Sequence, residues 1–518
     1  MDRGALVALV AMAMAVFVIA NDFTALSVAL PDIERDFDAD VGTVQWVISA
    51  YALIFGVLIV TGGRLADLLG RRRVFFVGTA IFATFSLLGA VAQDAWWLIA
   101  TRALMGVGGA LMWPAILGMT YQILPDSRAA LAGGLILGAA GFGNAAGPLI
   151  GGALTDAFDW RAILVLNLPI AAAAALATWQ FVPNVPGETG RRRFDYAGTV
   201  TLSVGLIALL IALDQVTDAS WTSPGILALL ALCALLLVTF ALHERRAGDW
   251  ALVPADVMSN RTFRSACVAV VLMSATFFVA IVYLPQFMQK ILSYSAMEAG
   301  LGLLPMMATF AVVSFIAGPL YERLGARPVL IAGAAFLTAG PFLIARLETG
   351  DSWAQLVPGM LVLGVGVGLF YSSVTTAAVT ALDPSRSSLA GGIVYMAQVA
   401  GGSIGLGIAT TVFNAAADDR LRSELAAAGP RVGEGERDAI QGILAGTESG
   451  QQVQERFAEA AARLEELARE AFAAGFQASF TLVAVLALAG LVVTVVAVGR
   501  PRDYAGSEPV SSDSGSSA

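Results

Sequence analysis

Fourteen membrane-crossing helices, arranged as two six-helix halves plus an inserted pair, are what the sequence predicts. The fold class is all-α and polytopic. Three observations carry this reading. Of 518 residues, 58% are hydrophobic and only 13% are charged, whereas a soluble domain carries about 25% charge. Fourteen apolar stretches approach the length of about 20 residues that a bilayer-spanning helix needs. Two motifs occur twice, at almost the same separation.

In chain order, spans fall near 5–30, 43–63, 74–93, 96–119, 129–153 and 162–182, giving an N-terminal half over 1–182. The first is too long for the apolar core of a secretory signal, and many like it follow. Spans near 197–214 and 223–242 form the inserted pair, with linkers completing 183–262. Spans near 263–287, 298–318, 329–347, 356–378, 389–414 and 477–499 make a C-terminal half over 263–500. A long loop, 415–476, precedes the last span, and 501–518 has the Ser/Gly/Asp-rich composition of a disordered tail.

The scarce cations orient the chain. Arg64, Arg71 to Arg73, Arg128, Arg191 to Arg193, Arg245, Arg246, Arg261, Arg264, Arg323, Arg327 and Arg386 lie in alternate loops. With Arg3, Arg500 and Arg502 they make 18 of the 30 cations. The opposite short loops and their edges hold Arg35, Arg161, Lys290 and Arg346. The positive-inside rule then places both termini in the cytoplasm. An even number of spans requires the same.

The repeat is internal. GGRLADLLGRRRV at 62–74 matches AGPLYERLGARPV at 317–329, pairing Gly63 with Gly318, Asp67 with Glu322 and Gly70 with Gly325 at an offset of 255. LPDSRAALAGG at 124–134 matches LDPSRSSLAGG at 382–392 at an offset of 258. Both copies of the first motif lie at the same predicted end of a span. The repeat is therefore parallel, the kind that relates two transporter halves about an axis along the membrane normal.

Composition excludes several chemistries. The single lysine, Lys290, rules out a phosphate-binding GxxxxGK[ST] loop and with it a pump of that kind. One histidine, His243, and two cysteines, Cys233 and Cys267, build neither a metal cluster nor a histidine-based nucleophile triad. No enzyme, cofactor, metal or nucleic-acid partner is expected. Arginine-rich, lysine-poor usage suits a GC-rich bacterial genome.

The motifs carry a resemblance. Gly63-Arg-Leu-Ala-Asp67-Leu-Leu-Gly70-Arg71-Arg72-Arg73 resembles the loop 2–3 signature of the major facilitator superfamily. Leu98 to Gly109, with Arg102 and Gly106, resembles its span-4 motif, although Met105 stands where the family often has Gln. Gly143-Asn-Ala-Ala-Gly147-Pro148-Leu-Ile-Gly151-Gly152 resembles its span-5 antiporter motif. Asp22 to Pro31, Trp160-Arg161, Asn167-Leu-Pro169 and Glu244-Arg245-Arg246 resemble the fourteen-span drug:proton antiporters, with Ser27 where Asn is usual. The resemblance covers essentially all of 5–499. It implies a major facilitator fold and proton-coupled export of drugs across a bacterial cytoplasmic membrane, usually as a monomer. The alternatives are a dedicated exporter of an endogenous metabolite or lipid, and a non-transporting sensor.

The residues themselves support site expectations. Asp22 lies within an apolar span, where an ionised carboxylate costs about 2.5–3.5 kcal/mol on insertion scales. It is either a proton site or a structural hydrogen-bonder. Arg102 lies at comparable depth in span 4. It either pairs with Asp22, to be released when Asp22 takes a proton, or bonds to carbonyls. The resemblance makes Gly63, Asp67, Gly70, Arg71 and Arg72 a gate, with Asp67 capping a helix end across the interface between halves. Gly143, Gly147 and Gly151 are GxxxG steps for close helix approach, and Pro148 bends the helix. A midplane cavity is expected between the halves. Its candidates are Tyr51, Trp113, Asn144, Tyr283, Gln286, Tyr371, Tyr395 and Gln398. Spans 10 and 13 carry no central carboxylate, whereas relatives of the resembled family that handle divalent cations often carry extra ones; the resemblance therefore implies lipophilic substrates, neutral or monovalent.

The loop 415–476 holds 12 acidic residues and 7 arginines, over half of the net charge of −9. Val453, Phe457, Ala460, Leu464, Leu467 and Ala471 step by three and four, one apolar helical face. An outer helix over 451–474 is expected, either as a lid on the outer mouth or as part of a passive loop.

Overall fold

The computed structural model describes residues 3–39, 41–124, 128–187, 194–215, 222–428, 443–444, 452, 456 and 461–497. Arg191 to Arg193, Arg500, Arg502, the tail 501–518 and the outer-face positions Val453, Phe457 and Ala460 lie outside these residues.

Among the described residues, fourteen helices are long and apolar enough to cross a membrane. The helices are α1 (Arg3–Val28), the short α2 (Leu30–Phe37), α3 (Val41–Leu69), α4 (Arg71–Ala90), α5 (Ala95–Ile123), α6 (Ala129–Ala157) and α7 (Arg161–Phe181). The inserted pair is α8 (Tyr196–Gln215) and α9 (Pro224–Ala247). Then follow α10 (Ala255–Ser259), α11 (Arg261–Lys290), α12 (Ala296–Gly302), α13 (Leu304–Leu324), α14 (Ala326–Ile344), α15 (Trp353–Thr380), α16 (Ser387–Ala428) and α17 (Ala461–Ala497). The short α2 and α10 are not spans, and α12 with α13 makes one.

Local chemistry sets the ends. Asp94 caps α5 by accepting from the Trp97 N–H, and Asn260 caps α11 through Phe263. Ser295 and Glu298 form a reciprocal capping box on α12. Gly70 and Gly325, partners in the repeat, separate α3 from α4 and α13 from α14 with φ of 101° and 84°. Those left-handed values favour glycine at both junctions.

The packing repeats as the sequence does. α1 packs on α6 and α7, α3 on α5, and α4 on α5 and α7. In the same way α11 packs on α16 and α17, α13 on α15, and α14 on α15 and α17. Two seams join these groups: α3 and α5 against α16, and α13 and α15 against α6. Gly63 meets the Ser388 carbonyl at the first seam, and its counterpart Gly318 meets the Ala130 carbonyl at the second. α8 packs on α9 and touches α3 and α16, while α9 leaves Leu227, Leu235, Val238 and Leu242 exposed for acyl chains.

Two boundaries depart from expectation: α16 continues to Ala428, into the expected loop 415–476, and the last span is not a separate helix. The sequence places a helix over 451–474 and a separate span over 477–499. α17 instead runs unbroken for 37 residues from Ala461, roughly 55 Å at 1.5 Å per residue against about 30 Å of hydrocarbon. Its first turns stand beside the end of α16, with Leu421, Leu464 and Leu467 buried. Arg420 pairs with Glu470 at 3.2 Å and Arg463 with Glu424 at 3.5 Å. Arg469 donates to the Ile291 carbonyl of α11. This stalk rests on the end of α11 and on α16. No proline interrupts this helix, and Gly475 at the expected junction packs against Phe413 of α16 instead of ending it.

Candidate functional site

Four spans converge on Asp22 of α1. Its Oδ2 accepts from Arg102 Nη1 of α5, a very close contact. Its Oδ1 accepts from Asn167 Nδ2 of α7 at 2.7 Å. Asn167 Nδ2 also donates to Ser86 Oγ of α4, whose hydroxyl is fixed by the Leu164 carbonyl at 2.8 Å. Asp22, Arg102, Asn167 and Ser86 are all fully buried. Arg102 Nε donates to the Val47 carbonyl of α3 at 3.1 Å, and Met105 Sδ lies 3.7 Å from Nη1. Arg102 thus contacts both Asp22 and a backbone carbonyl. A buried pair of this kind gains from mutual attraction only with good geometry, and removing one partner strands the other.

An aromatic cluster adjoins the pair. The Arg102 guanidinium carbon stands 4.4 Å from the Tyr51 ring centroid. Tyr51 stacks on Phe55, one turn along α3. Phe55 meets Trp113 of α5 at 6.1 Å and Tyr395 of α16 at 5.4 Å. Trp113 and Tyr395 are 4.7 Å apart. Three expected cavity residues thus meet across the first seam, and Gln398 is partly buried one turn beyond Tyr395. The others are not brought to this cluster. Tyr283 bonds Thr410 and stacks on Phe413, Tyr371 reaches Ser274 at 3.4 Å, and Gln286 accepts from Lys290. Those contacts lie among the second group of helices.

Asn144 contributes through its backbone. Pro148 has no N–H to offer the carbonyl four residues earlier, which is that of Asn144. The Thr24 hydroxyl of α1 donates to it instead, at 3.1 Å. Gly143, Gly147 and Gly151 bring α6 so near α1 that a Cβ on any of them would strike Phe17, Thr24 or Ala25. Gly152 abuts Met297 of α12.

At the arginine-rich end, Asp67 reaches across the first seam. Its carboxylate accepts from Leu389 N at 2.8 Å and Ser388 N at 3.3 Å, in the first turn of α16. A carboxylate there meets both free N–H groups and the positive end of the helix dipole. Arg71 bonds Asp67 at 3.1 Å and extends to the Gly118 and Pro384 carbonyls. Arg72 holds the Val182 and Trp179 carbonyls at the end of α7. Sequence reasoning missed Phe55 and Gly118, and did not give Asn167 its role. Only Asn167 left a signal, as an amide inside an apolar span.

Helices in two repeated groups, joined along two seams and enclosing a buried ion pair beside a ring cluster, define the architecture of a secondary transporter. Residues 12–406 match the model of the Major Facilitator Superfamily, and the chain belongs to it: a multi-pass membrane transporter, not an enzyme. It is 35% identical over 410 residues to the puromycin resistance protein pur8 of Streptomyces alboniger, covering 78% of this chain and 81% of that one. It is 29% identical over 499 residues to the tetracenomycin C resistance and export protein of Streptomyces glaucescens, covering 94% and 90%. Among solved structures, the human organic anion transporter MFSD10 (TETRAN) shares the fold with a TM-score of 0.63 at 14% identity, over 95% of this chain and all of that one.

Proposed function

We propose that the protein exports lipophilic neutral or monocationic compounds from the bacterial cytoplasm in exchange for protons, by alternating access. The observation that carries this is the fully buried Asp22–Arg102 pair set against an uncharged ring cluster at the seam. Charge inside a membrane bundle is retained for function by default. On this reading both termini and the arginine-rich end are cytoplasmic, and Asp67 is the closed inner gate. A proton reaching Asp22 from outside frees Arg102, the seam rearranges, and the gate yields to open the cavity inward. Inside, the proton leaves Asp22 and substrate binds among Phe55, Trp113 and Tyr395; the gate recloses, the cavity opens outward and the substrate is released there. The resistance and export functions in the names of the two relatives support export of antibiotic-like molecules. Both names cite one compound, which favours a narrower, dedicated range as the second reading.

The test is reconstitution in liposomes with an imposed proton gradient, following efflux of a lipophilic cationic dye. Wild type is expected to concentrate dye against its gradient and Asp22→Asn to lose that ability. Equal gradient-driven transport by both would falsify the proton-site assignment. Transport of a single compound class with no dye movement would favour the dedicated exporter.

A further inference from the structure

Tyr51 is completely buried, yet its hydroxyl has no hydrogen-bond partner. Buried tyrosines usually find one. What Tyr51 engages is the face of its ring. The Arg102 guanidinium lies over it at 4.4 Å. Its ring also stacks on Phe55 at 5.9 Å and 13°. From Phe55 the ring contacts continue to Trp113 and to Tyr395 of α16. One unbroken chain of ring contacts thus runs from the charge pair to the opposite side of the seam.

Consider Arg102 once Asp22 is neutral. It keeps the Val47 carbonyl at 3.1 Å and loses its carboxylate, while Nη2 has no partner to fall back on. A buried cation without a counter-charge is strongly disfavoured. An aromatic face attracts a cation, and more so when both are desolvated. While Asp22 is ionised it already compensates the guanidinium, so the ring adds less. The ring therefore favours the proton-loaded state over the unloaded one.

We infer that Tyr51 is a positioning residue for proton coupling: its ring holds the Arg102 guanidinium when Asp22 carries the proton, and hands that change to the Phe55–Trp113–Tyr395 cluster. The inference rests on the proposed role of Asp22. The titratable and charged groups facing Tyr51 are Asp22 from α1, Arg102 from α5 and Tyr395 from α16. Asn167 from α7 and Ser86 from α4 face the pair as neutral partners. Asp22 and Arg102 are the ion pair at the ring.

The experiment follows ethidium transport in proteoliposomes across external pH at a constant proton gradient. Wild type is compared with Tyr51→Phe, Tyr51→Leu, Tyr51→Met and Asp22→Asn. Tyr51→Phe keeps the ring and is expected to superimpose on wild type. Tyr51→Leu removes it, disfavours the loaded state and is expected to move the midpoint about one pH unit toward acid, a tenfold change in proton concentration. Tyr51→Met carries the same comparison if the leucine variant does not fold. A non-aromatic variant with an unshifted profile overturns the inference, and so does a phenylalanine variant that shifts as far as leucine. Retained gradient-driven transport in Asp22→Asn removes the proton-site reading itself. An inactive Asp22→Asn beside an unshifted Tyr51→Leu removes only the role of Tyr51.

Discussion

A proline in a lipid-embedded helix leaves a carbonyl unpaired, and here one hydroxyl answers it. Thr24 bonds the Asn144 carbonyl that Pro148 cannot serve. Thr24→Val keeps the shape and removes the donor, so a loss of about 1–3 kcal/mol is expected. It is measured as a lowered melting temperature in detergent, with Thr24→Ser close to wild type. The sequence showed Pro148 and Thr24 but not that they answer each other, because 120 residues separate Thr24 from its acceptor. The same limit applies at the charge pair. Depth along a span was legible for Asp22 and Arg102; the direction in which each side chain points was not. Phe55 was hidden for a different reason. A phenylalanine in an apolar span, one of 27 in the chain, looks like any lipid-facing or core residue.

At the scale of elements, the contact between α3 and α16 is the part most open to perturbation. Asp67 there unites an ion pair with a helix N-terminus. If Asp67 is the closed inner gate proposed above, Asp67→Asn removes the charge from both and weakens that gate without touching the ring cluster. Spin labels on Leu69→Cys and Ser385→Cys, both exposed positions, report the separation across this gate. A several-fold larger long-distance population is expected, since a carboxylate at a helix N-terminus contributes up to ~2 kcal/mol. Substrate binding measured by fluorescence is expected to persist. An unchanged distance distribution would argue that Asp67 is structural filler. Element order and the glycine junctions were readable in advance, because Gly70 and Gly325 punctuate both copies. The continuity of α17 was not. Its outer turns and its membrane turns have different compositions, and a change of composition reads as a boundary when no contact is visible.

For the whole molecule, charge balance separates the substrate classes. Exchange of one neutral compound for one proton carries one charge inward, and the membrane potential adds about 2.3 kcal/mol per 100 mV. Exchange of a monocation for one proton carries none. Clamping the potential to zero with valinomycin and potassium is expected to slow export of a neutral substrate and leave a monocation unaffected. Slowing of the monocation as well, to a lesser degree, would point to more than one proton per cycle. The potential acts on a molecule whose two seams look alike in backbone and differ in charge. Gly63 against Ser388 and Gly318 against Ala130 are the same contact made twice. Asp67 is buried in the first, whereas Glu322, its counterpart, is exposed. The first seam also carries the flanking α8. Two equal latches would have to be tuned together, each change in one demanding a change in the other. On the proposed reading, a single charged latch built from Asp67 and Arg71 lets the balance between inward and outward states answer to one place. The second seam would then serve as a plain hinge, free to vary in sequence as long as its glycines stay small.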